Sequence, residues 1–272
     1  MGEFVIEPLS NDMESRYRDF LREYDFSPAD EKVFNWYRSL PGTTMYVSMD
    51  NGKIIASGMS IPMGETGWIG AICTHMDYRG MGLGRAMTQY TIRKLRSQGA
   101  KSILLRASDE GARLYRSMGF IETGSYDNFP VETGDFDIPE RKDFRKLSRL
   151  GKEHFSLDHE YTGEFRDTVL SSLSGQDGYE LTNGVELLGF VYPSATNGIV
   201  GMTRNEELIP EFVSKIMHGR SGKIRTLKGT KINRYMRELG FETLDGAKRM
   251  VLGEDPVKNK NGIIGTISSS IG

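Results

Sequence analysis

The sequence predicts a mixed α/β fold in which strands and helices alternate around one central sheet. Strand-like segments at residues 45–49 and 53–59 flank Asp50-Asn51-Gly52, and an Asn-Gly pair is a strong signal for a tight hairpin. A third strand, at residues 68–75, leads through a glycine-rich stretch into an amphipathic helix at residues 84–98. Because helices also precede the hairpin, we expect helices on both faces of the sheet.

Capping residues define the two N-terminal helices. Asn11 or Asp12 is the expected cap of a helix that ends near residue 24, after a short strand at residues 5–6. Ser27 is the expected N-cap of the second helix, with Pro28 at its first helical position. A strand, a helix and a further strand complete the first half, at residues 102–106, 109–118 and after Phe120.

A turn-rich, polar stretch at residues 124–139 indicates a domain boundary, and the predicted domains are residues 1–137 and 138–272. The second half repeats the pattern in a weaker form. Its predicted helices lie at residues 141–155, 164–173, 206–218 and 231–239, and its strands at residues 179–181, 186–192, 198–202, 223–227 and 249–252.

Residues 114–120 align without gaps to residues 235–241, and a strand that carries a lysine precedes each segment. We interpret this as an internal duplication. The alternative is that a helix followed by glycine and phenylalanine is simply a common way to end a helix and start a strand.

Composition excludes several classes of protein. The 272 residues carry a formal net charge of −2, which argues against a nucleic-acid or membrane partner. The single cysteine, Cys73, rules out an intramolecular disulfide framework, and no apolar run approaches the roughly 20 residues that span a bilayer. His154, His159 and His218 lack metal-ligand spacing, so we expect no metal. The sequence predicts a soluble, cytoplasmic protein.

The segment from Arg79 to Gly84 has the form of a phosphate-binding turn, since a strand precedes it and a helix follows it. Glycines let backbone N–H groups turn toward an anion, and the helix presents its unpaired amides and positive dipole end. The spacing does not match the Gly-x-Gly-x-x-Gly pattern of dinucleotide sites, and the Gly-Lys-Ser/Thr of nucleoside-triphosphate loops does not occur.

Two motifs resemble those of the GNAT superfamily of N-acetyltransferases. Arg79-x-x-Gly82-x-Gly84 resembles its Arg/Gln-x-x-Gly-x-Gly/Ala motif, after a lead-in at residues 74–79. Residues 115–120 resemble its Tyr-x-x-x-Gly-Phe segment. The resemblance implies the acyl-CoA N-acyltransferase fold, with a mainly antiparallel central sheet flanked by helices. It also implies direct transfer of an acetyl group from acetyl-CoA, as cosubstrate, to a primary amine.

The resemblance assigns a role to each matching residue. The free backbone of Ile72, Cys73 and Thr74 would bind the pantetheine arm of the coenzyme, on a strand that separates from its neighbour. Tyr115 would protonate the leaving thiolate, as a positioned phenol can. The pyrophosphate would be held by the turn and the helix start, namely Arg79, Gly80, Met81, Gly82, Leu83, Gly84 and Arg85.

Several of the candidate residues also have a simpler, purely structural interpretation. Tyr115 alone would be a core tyrosine, and Cys73 has no activating base nearby in sequence, so it would only pack. His75 could deprotonate an amine or be a solvated loop histidine. Glu65 and Asp77 flank the relevant strand, but the sequence gives no reason to choose either as the general base.

The second half resembles a degenerate copy of the same domain. Residues 202–207 contain no glycine where the phosphate turn needs two, and Met236 stands where the first half has Tyr115. We therefore predict one catalytic site, in the first domain. The second domain would cover the acceptor side of the cleft, or else bury apolar surface or form a homodimer.

The sequence does not identify the acceptor. A small-molecule amine is expected rather than a protein amine, and a longer acyl chain is not excluded. The rival hypothesis is a non-catalytic acyl-CoA-binding sensor or scaffold.

Overall fold

The first half of the chain forms the strands and helices that its sequence predicts. The computed structural model describes residues 4–131, 143–195, 198–218, 222–268 and 270–271. The strands of the first half are β1 (Ile6–Pro8), β2 (Thr44–Asp50), β3 (Lys53–Met63), β4 (Thr66–Thr74), β5 (Ser102–Ala107) and β6 (Ile121–Val131). Its helices are α1 (Glu14–Glu23), α2 (Glu31–Ser39), α3 (Leu83–Ser97) and α4 (Asp109–Arg116).

Both capping predictions for the N-terminal helices are wrong. Asn11 and Asp12 lie within a short 3-10 turn, Asn11–Met13, and α1 begins at Glu14 without a side-chain cap. Ser27 begins a short 3-10 turn, Ser27–Ala29, and the cap of α2 is Asp30, whose carboxylate accepts a hydrogen bond from the Val33 N–H at 3.0 Å. Pro28 suits the first turn of either helix type because its φ is fixed and it has no N–H to satisfy. Asp30 keeps an extended backbone, so the α-helix starts after it.

The second half contributes six further strands and four helices within the described ranges. The strands are β7 (Arg145–Leu147), β8 (Gly178–Thr182), β9 (Leu187–Ala195), β10 (Gly198–Thr203), β11 (Gly222–Leu227) and β12 (Leu244–Leu252). The helices are α5 (Lys152–Thr162), α6 (Asp167–Ser171), α7 (Ile209–Met217) and α8 (Lys231–Glu238). The helix predicted at residues 141–155 is wrong over 145–147, which pair with β8 as a strand, and α5 begins only after Gly151.

Eight strands form the central sheet in the order β1-β2-β3-β4-β5-β12-β6-β11. Only the β4–β5 pair is parallel among these neighbours. Tyr17 of α1 and Tyr37 of α2 pack on one face, with Leu104 of β5, while Leu95 of α3 and Tyr115 of α4 pack on the other. These features confirm the predicted mixed, mainly antiparallel sheet flanked by helices.

The two halves exchange a strand. β12, from the second half, lies between β5 and β6, and β6, from the first half, lies between β12 and β11. The second half repeats a strand-helix-strand order of the first half: β11-α8-β12 corresponds to β5-α4-β6. This agrees with the predicted duplication. The central sheet therefore contains strands of both halves. The predicted boundary between residues 137 and 138 lies outside the described residues and stays a prediction.

The rest of the second half covers the face of the sheet that carries α1 and α2. A second sheet, in the order β10-β9-β8-β7, packs there through Tyr192 and Val200, in the same core as Tyr37. Buried hydrogen bonds join the halves: the Tyr37 hydroxyl donates to Ser268 Oγ at 2.7 Å, and Trp68 Nε1 donates to Glu164 Oε2 at 2.6 Å.

Candidate functional site

A cavity of about 660 Å³ opens at the carboxyl ends of β4 and β5. Its lining comes from the end of β4, the glycine turn, the start of α3, the helix α4 and the loop between α1 and α2. Every residue predicted for the site lines this cavity except Met81, whose side chain is 48% exposed. A cavity of this volume accommodates a cofactor-sized molecule.

The cavity exists because two parallel strands separate. β4 and β5 pair from Thr66 opposite Ser102 to Ile69 opposite Leu105, and the pairing stops there although both strands continue. The predicted residues Ile72, Cys73 and Thr74 lie in the part of β4 beyond this point. Their β5-facing backbone groups are thus free to bind an extended ligand.

A bulge in β4 bends the strand at the separation point. Ala71 has a positive φ of 50°, an uncommon conformation for a residue with a side chain. The register between β3 and β4 shifts at the same place, and Ser57 Oγ donates to the Ala71 carbonyl oxygen at 2.7 Å. This hydrogen bond holds the bulge, which redirects the backbone of residues 72–74.

The glycine turn supplies the donors of the site. Gly80 and Gly82 have φ values of 78° and 87°, which favour glycine, and a Cβ atom on either would meet nothing within 4 Å. Among the described residues, none accepts a hydrogen bond from the backbone N–H groups of residues 80–85. The first such bond of α3 runs from the Ala86 N–H to the Gly82 oxygen at 3.0 Å. Six amides and a helix N-terminus without an acidic residue in its first turn form an anion site.

Two arginines flank this turn and add positive charge. The Arg79 guanidinium contacts the Tyr24 ring at 5.9 Å from its centroid, and its Nε donates to the Thr74 oxygen at 3.4 Å. Arg85 donates to Ser117 Oγ at 2.6 Å. Both side chains keep donors that can contact a phosphate.

Tyr115 lines the same cavity from α4. Its helix is capped by Ser108, whose Oγ accepts a hydrogen bond from the Gly111 N–H at 3.1 Å. The Tyr115 ring packs edge-on against Phe120, and its hydroxyl has no hydrogen-bond partner among the described residues. Burial raises the pKa of the phenol, so it stays protonated at neutral pH and is available as a donor.

Gly111 keeps the Tyr115 ring accessible. A Cβ atom at Gly111 would lie 3.2 Å from the ring and 3.4 Å from Ser108 Oγ. A larger residue one turn before Tyr115 would therefore push against the phenol. Sequence reasoning missed this glycine, and its spacing of four residues from Tyr115 is the signal that could have identified it.

Cys73 lines the cavity as a thiol. Burial raises its pKa to about 12, and the positive charge of Arg79 only partly offsets this effect. A thiol with this pKa is not ionised near neutral pH, so the side chain packs and is not a ready nucleophile.

Neither carboxylate proposed as a general base lines the cavity. Glu65 forms an ion pair with Lys101 at 2.5 Å and lies eight residues before Cys73 on the strand, roughly 26 Å away at the rise of a strand. Asp77 is exposed and lies 3.7 Å from His75 Nδ1, and His75 is likewise absent from the lining. The carboxylates on the wall are those of Asp25 and Glu110.

The loop after α1 closes one side of the cavity, which the sequence did not indicate. Tyr24, Asp25 and Phe26 line it, and the Tyr24 hydroxyl accepts a hydrogen bond from the Met76 N–H at 3.2 Å. Asp25 has a positive φ of 56°. A loop between two amphipathic helices has no spacing motif, so only the fold brings it to the end of β4.

Among the described residues, no group of three or more His, Cys, Asp or Glu side chains could hold a metal ion. No helix in the described ranges has the length and apolar character needed to cross a membrane.

The chain matches one family model, described as the acetyltransferase (GNAT) family, over residues 10–120. This range contains the glycine turn, Tyr115 and all the lining of the cavity. No curated protein matches the chain.

Solved structures share the fold over nearly the whole chain. A protein of Pyrococcus horikoshii described as a candidate acetyltransferase has a TM-score of 0.85 at 15% identity, and the match covers 100% of this chain and 97% of that one. A GCN5-related N-acetyltransferase from Sphaerobacter thermophilus has a TM-score of 0.60 at 14% identity, over 94% and 96%. A tandem GNAT protein from the clavulanic acid biosynthesis pathway has a TM-score of 0.55 at 14% identity, over 92% and 98%.

Proposed function

We propose that this protein transfers an acetyl group from acetyl-CoA directly to a primary amine, because residues 10–120 match the model of the GNAT acetyltransferase family. The match supports acyl transfer from an acyl-CoA. The acetyl group, the amine and the role of Tyr115 are the proposal. The observation that carries it is that the glycine turn, whose six amides have no partner among the described residues, and the Tyr115 phenol line one cavity.

The donor end of the site is the glycine turn. Acetyl-CoA would supply a thioester for acyl transfer, and its pyrophosphate is the anion that the amides of residues 80–85 fit. The backbone of residues 72–74 would hold the pantetheine arm along β4, because this part of the strand has no neighbour on its β5 side. Arg79 and Arg85 would add charge to the pyrophosphate contacts.

Tyr115 supports direct transfer. The amine nitrogen forms a bond to the acyl carbon, the carbon–sulfur bond breaks, and the sulfur takes a proton. A buried, neutral phenol in the cavity wall is suited to donate that proton. The high pKa of Cys73 speaks against a covalent acyl-enzyme on its sulfur. The attacking amine must also lose a proton, to a carboxylate or through ordered water, and Asp25 and Glu110 are the carboxylates within the lining.

The experiment is an acceptor screen. The purified protein is incubated with acetyl-CoA and a broad panel of primary amines, and release of the coenzyme thiol is followed with time. We expect at least one amine to stimulate thiol release, with the acetylated amine identified by mass spectrometry. Acetyl-CoA affinity is measured separately by titration.

The same screen distinguishes the rival functions. Tight binding of acetyl-CoA without any amine-dependent thiol release would contradict the proposal and favour a coenzyme sensor or scaffold. Stimulation by lysine-containing peptides and not by small amines would favour an enzyme that acts on protein amines. Faster release from longer acyl-CoA donors would contradict the preference for acetyl.

A further inference from the structure

Two arginines project from the face of the central sheet opposite Tyr115. Arg106 of β5 pairs in register with Arg249 of β12, and Arg225 of β11 pairs with Asn128 of β6, so their side chains project from one face. Tyr126, two residues before Asn128 on β6, lies between them. The Arg106 guanidinium carbon is 4.2 Å from the centroid of the Tyr126 ring.

Neither guanidinium is paired with a carboxylate of the described residues. Arg106 Nη1 donates to the Ser268 carbonyl oxygen at 2.9 Å, while its Nε is fully buried and has no hydrogen-bond partner. Arg225 donates from Nε to Asn128 Oδ1 at 3.2 Å. Most of the donors in both planar forks are therefore available to a ligand.

The two arginines that are fully buried among the described residues both have carboxylate partners. Arg166 forms a bidentate pair with Asp158, and Arg249 forms one with Asp255. Buried charges are normally paired, because an unpaired one loses its hydration without compensation. Burial, with the nearby charge of Arg225 as a smaller cause, lowers the pKa of Arg106 to about 10. Within the described ranges, the two guanidinia thus have no anionic partner.

The arginine pair lies on the same face of the sheet as Cys73, which lines the cavity. Because Ile69 is opposite Leu105, continuing the register would place Gly70 opposite Arg106, at the point where β4 and β5 separate. Cys73 lies three residues further along β4, in the same core cluster as Tyr37, and it lines the cavity. At the rise of a strand, three residues span roughly 10 Å.

Tyr17 and Tyr37 belong to the same core cluster as Cys73, on the face of the sheet from which the arginines project. Tyr115 and Leu105 belong to the cluster on the opposite face, so the coenzyme side and the arginine side are separated by the sheet.

We propose that Arg106 and Arg225 bind an oxyanion, and that this oxyanion is a carboxylate or phosphate group of the acceptor. The acceptor assignment rests on the proposed acetyl transfer, whereas the anion site rests only on the arginines. Planar guanidinium forks match carboxylate and phosphate geometry, and the Arg106 Nε–H would gain the partner that it lacks. The acceptor class is thus an amine that also carries an anionic group.

The anion site is tested without any turnover. The melting temperature is measured in inorganic phosphate and in sodium chloride of the same ionic strength. We expect phosphate to raise the melting temperature of the wild type by about 3 °C or more over chloride, since a ligand that binds only the folded state stabilises it. The Arg225→Met variant should lose this effect, and Arg93→Met, which removes an exposed arginine of α3, should keep it.

Arg225→Met is the informative variant because Arg225 donates only to Asn128, whereas Arg106 also holds the segment at Ser268. In chloride, its melting temperature should equal or exceed that of the wild type, since the change removes a partly buried charge that has no carboxylate partner among the described residues. Arg225→Lys keeps the charge and loses the fork, so it should retain part of the phosphate effect. A phosphate effect that is absent from the wild type, or unchanged in Arg225→Met, would overturn the site.

The acceptor assignment is tested with matched amines. Thiol release from acetyl-CoA is compared for 6-aminohexanoate against hexylamine, and for 3-aminopropyl phosphate against 3-aminopropanol. We expect kcat/KM to be about tenfold or more higher for the anionic member of at least one pair. Arg225→Met should remove this advantage, and it should leave kcat/KM for the neutral member and KM for acetyl-CoA unchanged.

The two tests separate the possible failures. Phosphate stabilisation together with equal rates within each pair would overturn the acceptor assignment and indicate a site for a free anion. Phosphate stabilisation without any amine-dependent thiol release would contradict the proposed acetyl transfer and, with it, the acceptor assignment, but not the anion site.

Discussion

Trp68 and Glu164 form a buried hydrogen bond between the two halves of the chain, from the indole Nε1 to the carboxyl Oε2 at 2.6 Å. Trp68 lies within the parallel pairing of β4 with β5, opposite Leu104, and Glu164 follows α5. Burial raises the pKa of Glu164, although the nearby Arg166 and the Trp68 hydrogen bond oppose this effect. The strand that builds the cavity is thus anchored to the second half by a carboxyl group that prefers its protonated form.

This bond predicts a pH dependence of stability. A carboxyl whose pKa is raised by folding binds its proton more tightly in the folded state, so its contribution to stability is present at low pH and is lost as the pH rises from the unfolded pKa through the folded one. Glu164→Gln keeps an oxygen that accepts from Trp68 and cannot ionise. We expect wild-type stability to fall relative to Glu164→Gln above pH 4.5, the ordinary pKa of a glutamate side chain, by at most about 1.4 kcal/mol per pH unit.

Urea unfolding of both proteins between pH 4 and pH 8 measures this difference. Glu180→Gln serves as the control, since Glu180 is partly exposed beside His154. A wild-type stability that rises with pH relative to Glu164→Gln would contradict the prediction, because it would mean that folding favours the ionised carboxylate.

The glycine turn gives a prediction with a matched control. Gly82 and Gly99 both have positive φ, of 87° and 98°, and neither would meet an atom within 4 Å if it carried a Cβ. Each Gly→Ala change should therefore destabilise the fold by about 1 kcal/mol through the left-handed backbone. Only Gly82→Ala disturbs the amides of residues 80–85, so it alone should weaken acetyl-CoA binding, by about tenfold. Titration of both variants with acetyl-CoA checks this, and equal affinities would contradict the anion-site assignment.

Local patterns predicted the donor side of the site well. The glycine turn, the end of β4 and Tyr115 lie within short motifs whose spacing carries the geometry, and the hairpin at Asn51-Gly52 was equally predictable. Met81 was included because its neighbours are glycines, but its side chain points to solvent, and only its backbone N–H remains relevant. The exchange of β6 and β12 was not predicted, since pairing between distant strands leaves no local signal.

The acceptor side could not be predicted for the same reason. Arg106 and Arg225 are 119 positions apart in the sequence. They come to lie on one face of the same sheet only because β12 and β6 join their strands. The helix predicted over residues 145–147 failed because alternating basic and apolar residues fit an edge strand as well as a helix. Tertiary pairing with β8 decided between them.

Cys73 gives a prediction about mechanism. Its pKa of about 12 keeps the thiol protonated throughout the range in which enzymes are assayed. Cys73→Ala should therefore leave turnover within about threefold of the wild type, and the pH profile should show no rise from a thiolate near the ordinary cysteine pKa of about 8.5. Thiol-release rates of both proteins from pH 6 to pH 9 check this. A loss of about a hundredfold or more would indicate a covalent acyl-enzyme and contradict direct transfer.

Tyr115→Phe tests the proposed proton donor. The hydroxyl has no hydrogen-bond partner among the described residues, so its removal should change stability by less than about 1 kcal/mol. Turnover should fall by about a hundredfold, since the leaving thiolate loses its positioned acid, while acetyl-CoA affinity should not change because the glycine turn is intact. The raised pKa keeps the phenol protonated beyond its usual value, so the wild-type rate should not decline with pH on account of Tyr115 below about pH 10. Thiol-release assays across this range decide the question: if the two proteins turn over equally at every pH, Tyr115 is only a core tyrosine and the thiolate takes its proton from water.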